Sequence, residues 1–168
     1  MRTIISKLNR HWLVAAGLTS ILMLAAAHGF ERIGGLAPCE LCYRQREMYW
    51  LALAVSVVFV GLQYFTKFEK ARRIGLLILG LIFVGSMVLA GYHAGVEWKF
   101  WAGPTSCSGG VQDLSALTGD LLTALNEPSS GPSCGEIPWA MFGISMAGWN
   151  AIISLGLAAI SFKLARKK

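Results

Sequence analysis

The sequence predicts an all-α polytopic membrane protein, a bundle of four transmembrane helices in a single domain, and three observations carry that expectation. Of 168 residues, 55% are hydrophobic and only 14% charged, with a mean hydropathy of +0.55, a balance suited to lipid rather than water as solvent. Four apolar segments, about 12–30, 48–65, 74–92 and 139–162, are each long enough to cross a ~30 Å hydrocarbon core as helix. They lack the short alternating pattern of barrel strands, and lipid otherwise tolerates only helices, which satisfy their own backbone groups.

The first segment follows Arg2, Lys7 and Arg10 and contains Ala25-Ala26-Ala27, features it shares with a secretory leader and its small-residue cleavage site. Its apolar run is long for a leader, and its loss would strip one wall from a four-helix bundle, so it is read as the first spanning helix. The second segment opens just after Cys39-Glu40-Leu41-Cys42. The third carries Gly75, Gly80, Gly85, Ser86, Ala90 and Gly91, small residues of the kind that let membrane helices approach closely. Trp12, Trp50, Trp98, Trp101 and Trp139 fall near the ends of the segments, where amphipathic rings anchor helices at headgroup level.

Charge sets the orientation. Eleven of fifteen Lys and Arg residues lie at the N-terminus, in the loop after the second segment, or at the C-terminus. Only Arg32, Arg44, Arg46 and Lys99 lie in the other two loops, about 31–47 and 93–138. The bias of positive charge toward the cytoplasm places both termini there. The formal net charge of +6 thereby becomes a basic rim facing anionic lipid headgroups, and it gives no reason to invoke nucleic acid.

With that topology all four cysteines share the outer face, which in a bacterium is the periplasm. Disulfides persist in oxidising compartments of this kind. The two-residue spacing of Cys39 and Cys42 permits only a small, constrained disulfide ring, and such rings tend to be labile and oxidising. A helix starting near Cys42 would set its sulfur in the positive field of the helix N-terminus, with Arg44 and Arg46 adding charge. Arg44, two positions from Arg46, points to another helix face and suits headgroup contact.

Cys107 and Cys134 lie 27 positions apart in a loop rich in turn residues, Gly103-Pro104, Pro128, Gly131, Pro132 and Gly135. Between them Val111, Leu114, Leu117, Leu121, Leu122 and Leu125 recur at helical spacing, so a short amphipathic helix is expected on the membrane surface. A mobile Cys107–Cys134 disulfide presented to water would meet a soluble thiol protein, while the CxxC pair sits at the bilayer edge. Two pairs in two settings suit a thiol–disulfide relay. A CxxC is also half of a zinc site, but the second pair does not repeat that knuckle, and no metal is expected. Without a dinucleotide-binding glycine pattern or a heme motif, the economical electron acceptor is a lipid-soluble quinone.

Pro38-Cys39-Glu40-Leu41-Cys42-Tyr43-Arg44-Gln45-Arg46, then Gly91-Tyr92-His93-Ala94-Gly95-Val96-Glu97, Gly103-Pro104 with Cys107, and Cys134 with Ile137-Pro138-Trp139 and Trp149-Asn150, follow one another in an order that resembles the disulfide bond formation protein B (DsbB) family. The resemblance covers nearly the whole chain. It implies an enzyme of the bacterial inner membrane, active on its periplasmic side, that reoxidises a thioredoxin-fold dithiol protein (DsbA-like) and passes the electrons to ubiquinone or menaquinone.

By the same resemblance, Cys39 and Cys42 match the quinone-proximal redox disulfide, and Cys107 and Cys134 the pair that meets the partner, with Cys107 forming the transient intermolecular bond. Arg46 matches the arginine beside the quinone. His93, at the outer end of the third segment, could bind a quinone carbonyl or shuttle protons, and a merely solvated interfacial role is the alternative. His11 and His28 match no motif and suit interfacial positions. The Glu40-Leu41 dipeptide tunes the potential of its pair, so no midpoint transfers from relatives.

The competing function is a non-catalytic membrane scaffold with two structural disulfides. A reductant exporter would need a sulfur route across the bilayer, which the cysteine positions do not supply. A vitamin K epoxide reductase type of enzyme would place its CxxC at a late helix rather than at the opening of the second.

Overall fold

A computed structural model describes residues 2–66, 69–104, 107 and 133–166 of the chain. The amphipathic helix expected over 111–125 lies outside the described residues. Four long helices dominate: α1 (Arg2–Arg32), α2 (Glu40–Thr66), α3 (Glu69–Glu97) and α4 (Met146–Ala165). Each contains an apolar stretch, of 22, 24, 28 and 20 residues in turn, long enough to span a membrane, since at 1.5 Å per residue about 20 residues cross the hydrocarbon core.

The helices exceed the apolar segments that announced them. The second begins eight residues early, at Glu40 rather than Met48, because helical geometry continues through the polar stretch 40–47, where apolar run length gives no signal. The third runs on to Glu97 rather than ending at Tyr92.

At the fourth segment the expected helix start is wrong by seven residues. Ala140–Met141 (β1) pairs antiparallel with Ile144–Ser145 (β2), and the helix starts only at Met146. Phe142 and Gly143 both have positive φ, 54° and 77°, which makes the connection a two-residue turn of the mirror-image kind that suits hairpin twist. Ser145 then caps α4, its hydroxyl accepting from the Gly148 N–H at 3.1 Å.

Along the chain each helix packs on the next, whereas α1 and α4 touch little. Small residues set the close approaches. A Cβ on Gly75 would lie 2.7 Å from the Phe59 ring, and one on Gly80 would lie 2.8 Å from the Phe162 ring, as expected where helices associate by packing rather than by expelling water. Phe83, Leu76, Leu79 and Leu13 are fully enclosed, while Leu22, Val57, Leu81 and Leu155 face outward into what the membrane supplies as solvent. Trp12 Nε1 donates to Ser161 Oγ at 2.9 Å, joining α1 to α4 at the end of the bundle nearer the chain termini. Toward the opposite end a cavity lies between the two helices.

Candidate functional site

Cys39 occupies the cap of α2. Its sulfur accepts from the Cys42 N–H at 3.4 Å, and its carbonyl accepts from Tyr43 N at 3.1 Å. The CxxC spacing thus brings the second sulfur back over the first helical turn, where a helix N-terminus favours negative charge. The two sulfurs lie 3.0 Å apart with Cys39 donating to Cys42, and both are thiols. The pair stands here as a dithiol whose sulfurs are close enough to close into the expected disulfide. That hydrogen bond, followed by burial, pushes the Cys39 thiol well above the usual range, so the proton stays on Cys39.

Cys107 and Cys134 do form a disulfide, with Cα atoms 5.3 Å apart. Its setting corrects the expectation of a water-presented pair: Cys134 is 0% exposed and Cys107 6%. Both pack with Cys39, Leu41 and Val96 in one buried cluster that Cys42 and Leu89 flank. The two cysteine pairs therefore share one buried cluster at the end of the bundle away from the chain termini. The chain on either side is pinned there, with Cys107 N donating to Pro104 O at 2.8 Å and Lys99 Nζ donating to the Gly135 carbonyl. Trp101 lies flat over Gly95, where any Cβ would collide with the indole, and donates to the Tyr92 carbonyl at 2.9 Å.

His93 is 4% exposed, which overturns the solvated-histidine alternative. Because α3 continues past it, the ring points inward, with Nε2 3.6 Å from the Cys39 sulfur and 3.9 Å from Glu97 Oε1. A backbone group of Cys134 also faces the ring. On the other side Nδ1 lies 2.7 Å from the Gln45 amide nitrogen. Glu97 accepts from the Ser145 hydroxyl, which ties the end of α3 to the start of α4.

Arg46 reaches across to α1, where it pairs with the Glu31 carboxylate and donates to the Ala27 carbonyl at 3.1 Å, with its guanidinium 5.5 Å above the Tyr43 ring. Arg44 behaves as its spacing suggested, pairing at the surface with Glu40 and Glu47. His28 is half-buried and 3.6 Å from Glu31.

A partly open cavity of about 470 Å³ lies between α1 and α4 and reaches the CxxC, within the size range of small-molecule sites. Met23, Ala27, Phe30, Trp139, Trp149 and Ile153 give it an apolar wall, and Cys42, Arg46, His93, Gln45 and Asn150 give it a polar one. Phe30 and Trp139 meet at 5.2 Å at its rim. The enclosure fits a hydrophobic ring with oxygens to be hydrogen-bonded, and Arg46, His93 and Asn150 are the groups that would hold them. Cys39, Cys42 and His93 also offer three ligand atoms within 4.8 Å of one another, a set acceptable to a thiophilic cation.

Gln45, Tyr49, Glu31, Glu97 and Asn150 were not singled out by sequence. Gln45, Glu97 and Asn150 stand inside the motifs quoted above, but nothing in their spacing announced that they converge.

The chain matches the family model described as disulfide bond formation protein DsbB over residues 9–164. It is 32% identical over 144 residues to disulfide bond formation protein B of Methylococcus capsulatus, covering 83% of each chain. It is 29% identical to the protein of that name from Xylella fastidiosa, covering 87% of this chain and 86% of the relative. The Polaromonas protein is also 29% identical, over 99% of this chain and 98% of its own. No solved structure matches.

Proposed function

Because the chain belongs to the DsbB family of disulfide bond formation proteins, multi-pass membrane proteins with disulfide-forming oxidoreductase activity, we propose that it reoxidises a periplasmic thioredoxin-fold dithiol protein of the DsbA type and passes two electrons to membrane ubiquinone or menaquinone. The inner membrane is its site, with both termini cytoplasmic and the cysteines periplasmic. The observation that carries this reading is the convergence of both cysteine pairs on one buried cluster beside an apolar cavity that reaches Cys42.

The sulfur steps balance as exchanges. A partner thiolate attacks Cys107 and breaks the Cys107–Cys134 bond, and the partner's second thiol then resolves the mixed disulfide. The partner leaves oxidised and the loop pair reduced. The loop dithiol in turn reduces the Cys39–Cys42 disulfide through a bond to Cys39, the cysteine packed against that cluster. Two electrons and two protons now reside on Cys39 and Cys42.

A quinone held in the cavity supplies the sink for those two electrons and two protons. Arg46 orients an oxygen and offsets developing negative charge there. His93 stands at the Cys39 sulfur, where an N–H donor would stabilise the thiolate left when the last thiol proton departs. The apolar wall between α1 and α4 keeps water from the sulfurs and admits a lipid-soluble molecule from the side.

The test is quinone absorbance, followed with the purified protein in detergent as a reduced thioredoxin-fold dithiol protein is added. Loss of absorbance with wild type and none with Cys42→Ser supports the reading. No loss with either quinone, or undiminished turnover by Cys42→Ser, would sink it. In Cys134→Ser the partner should be trapped on Cys107.

A further inference from the structure

Five side chains from three helices form one hydrogen-bonded file that ends at His93. Ser86 and Ser154 lie 3.0 Å apart, and Ser154 lies 3.1 Å from the Tyr49 hydroxyl. Tyr49 donates to Asn150 Oδ1 at 2.5 Å, and Ser154 donates to the same oxygen at 3.3 Å. Asn150 Nδ2 donates to Gln45 Oε1 at 2.5 Å. Gln45 has only its amide N–H left to offer the His93 ring, at 2.7 Å from Nδ1. Every polar group in the file is buried, so none can turn to water for a substitute partner.

We propose that Gln45 and Asn150 are positioning residues, which hold His93 as the tautomer bearing its proton on Nε2 and so aim an N–H donor at the sulfur of Cys39.

Both ends of the file require the same polarity. Gln45 donates to Nδ1, which must then be the bare nitrogen, and the proton belongs on Nε2. What faces Nε2 is acceptor in character. The Cys39 sulfur has given its own hydrogen to Cys42 and turns lone pairs toward the ring at 3.6 Å, and the Glu97 carboxylate stands at 3.9 Å. Reversing both amides would set a bare Nε2 against those lone pairs and that carboxylate.

The consequence is chemical. Cys39 must become a thiolate before it can close a disulfide with Cys42, and its thiol is otherwise held protonated by burial and by Cys42. A donor fixed on that sulfur stabilises the charge as it forms. The inference rests on the redox reading of the cysteine pairs and names residues that tune the inner pair. Gln45 and Asn150 also border the cavity, so the test is made without quinone.

The ring nitrogens of His93 are observed by nitrogen NMR of the reduced protein in detergent, assigned by difference against His93→Asn. Wild type should carry the proton on Nε2 and leave Nδ1 bare. Asn150→Asp changes a group that touches neither the ring nor the sulfur. It replaces a donor by an acceptor, so Gln45 turns its amide round and the proton should move to Nδ1. In a Cys42→Ser background, maleimide should then react with Cys39 at least about tenfold more slowly than in the parent, the scale on which partners that orient a functional group act.

Should Asn150→Asp fail to fold, Gln45→Glu presents an acceptor directly to Nδ1 and carries the same expectation. A wild-type proton on Nδ1, or an unchanged tautomer and unchanged Cys39 reactivity in a folded variant, would overturn the inference. A wild type that reduces no quinone would leave this result standing and refute the electron acceptor instead.

Discussion

The imidazole of His93 lies 3.6 Å from the sulfur of Cys39, across 54 positions of sequence, with its other nitrogen held by Gln45. This contact joins α3 to the cap of α2 beside a buried thiol. His93→Asn should therefore slow quinone reduction by about 10²-fold, at the low end for loss of one preorganised hydrogen-bond donor to a developing anion. Formation of the trapped Cys107 mixed disulfide in a Cys134→Ser background should change little. Stopped-flow absorbance and gel-resolved mixed disulfide measure the two steps separately.

The raised Cys39 thiol makes the reduced protein alkali-sensitive. Its folded pKa lies above its unfolded value, so between the two the native state binds a proton that the unfolded chain has lost. The stabilisation is complete below about pH 8.5, the ordinary thiol value, and is lost as pH rises through the folded pKa. The melting temperature of the reduced protein should fall above that pH, and Cys39→Ser should flatten the fall. An equal fall in the protein oxidised at Cys39 and Cys42 would contradict this origin.

Arg46 joins α2 to α1 through Glu31 and the Ala27 carbonyl. Lysine offers a single point charge and cannot span both partners. Arg46→Lys should raise the KM for quinone by roughly tenfold with a smaller effect on kcat, as expected where binding rather than chemistry is lost. Glu31→Gln should do the same more weakly, since the Ala27 contact remains. Steady-state kinetics at several quinone concentrations distinguish the two parameters.

Gly80 is packed against Phe162 so closely that any Cβ intrudes on the ring. Gly80→Ala should destabilise the bundle by about 1–3 kcal/mol through overpacking. Phe162→Leu should be milder alone and should restore part of the loss in the double variant, a coupling measured by a thermal or detergent unfolding cycle.

Much of the architecture is written in the order of residues. Four charge-free apolar runs announce four helices, because lipid leaves the backbone no other way to pair. The Cys39-to-Cys42 spacing announces a reactive pair, and Cys107 and Cys134 announce a second on the same side. The small residues of α3 announce its close packing, and Gly75 and Gly80 bear that out against Phe59 and Phe162. Helix ends are less legible, since the polar flanks of α2 and α3 are helical without being apolar. The hairpin ahead of α4 is announced only by Gly143 beside Phe142, a residue that seldom takes positive φ.

What the sequence by itself determined is the solvent, the number of spanning helices, and the sulfur chemistry available where the cysteines gather, because composition, run length and cysteine spacing are local quantities. What only the tertiary structure decided is who meets whom. Cys39 packs with Cys107 and Cys134, His93 is buried against a sulfur, Arg46 pairs with Glu31, and Gln45, Asn150 and Tyr49 form one hydrogen-bonded file. Those partners come from different helices, and their meeting depends on helix rotation and crossing. That geometry is set by packing summed over the whole bundle, for which no single stretch of sequence holds the information.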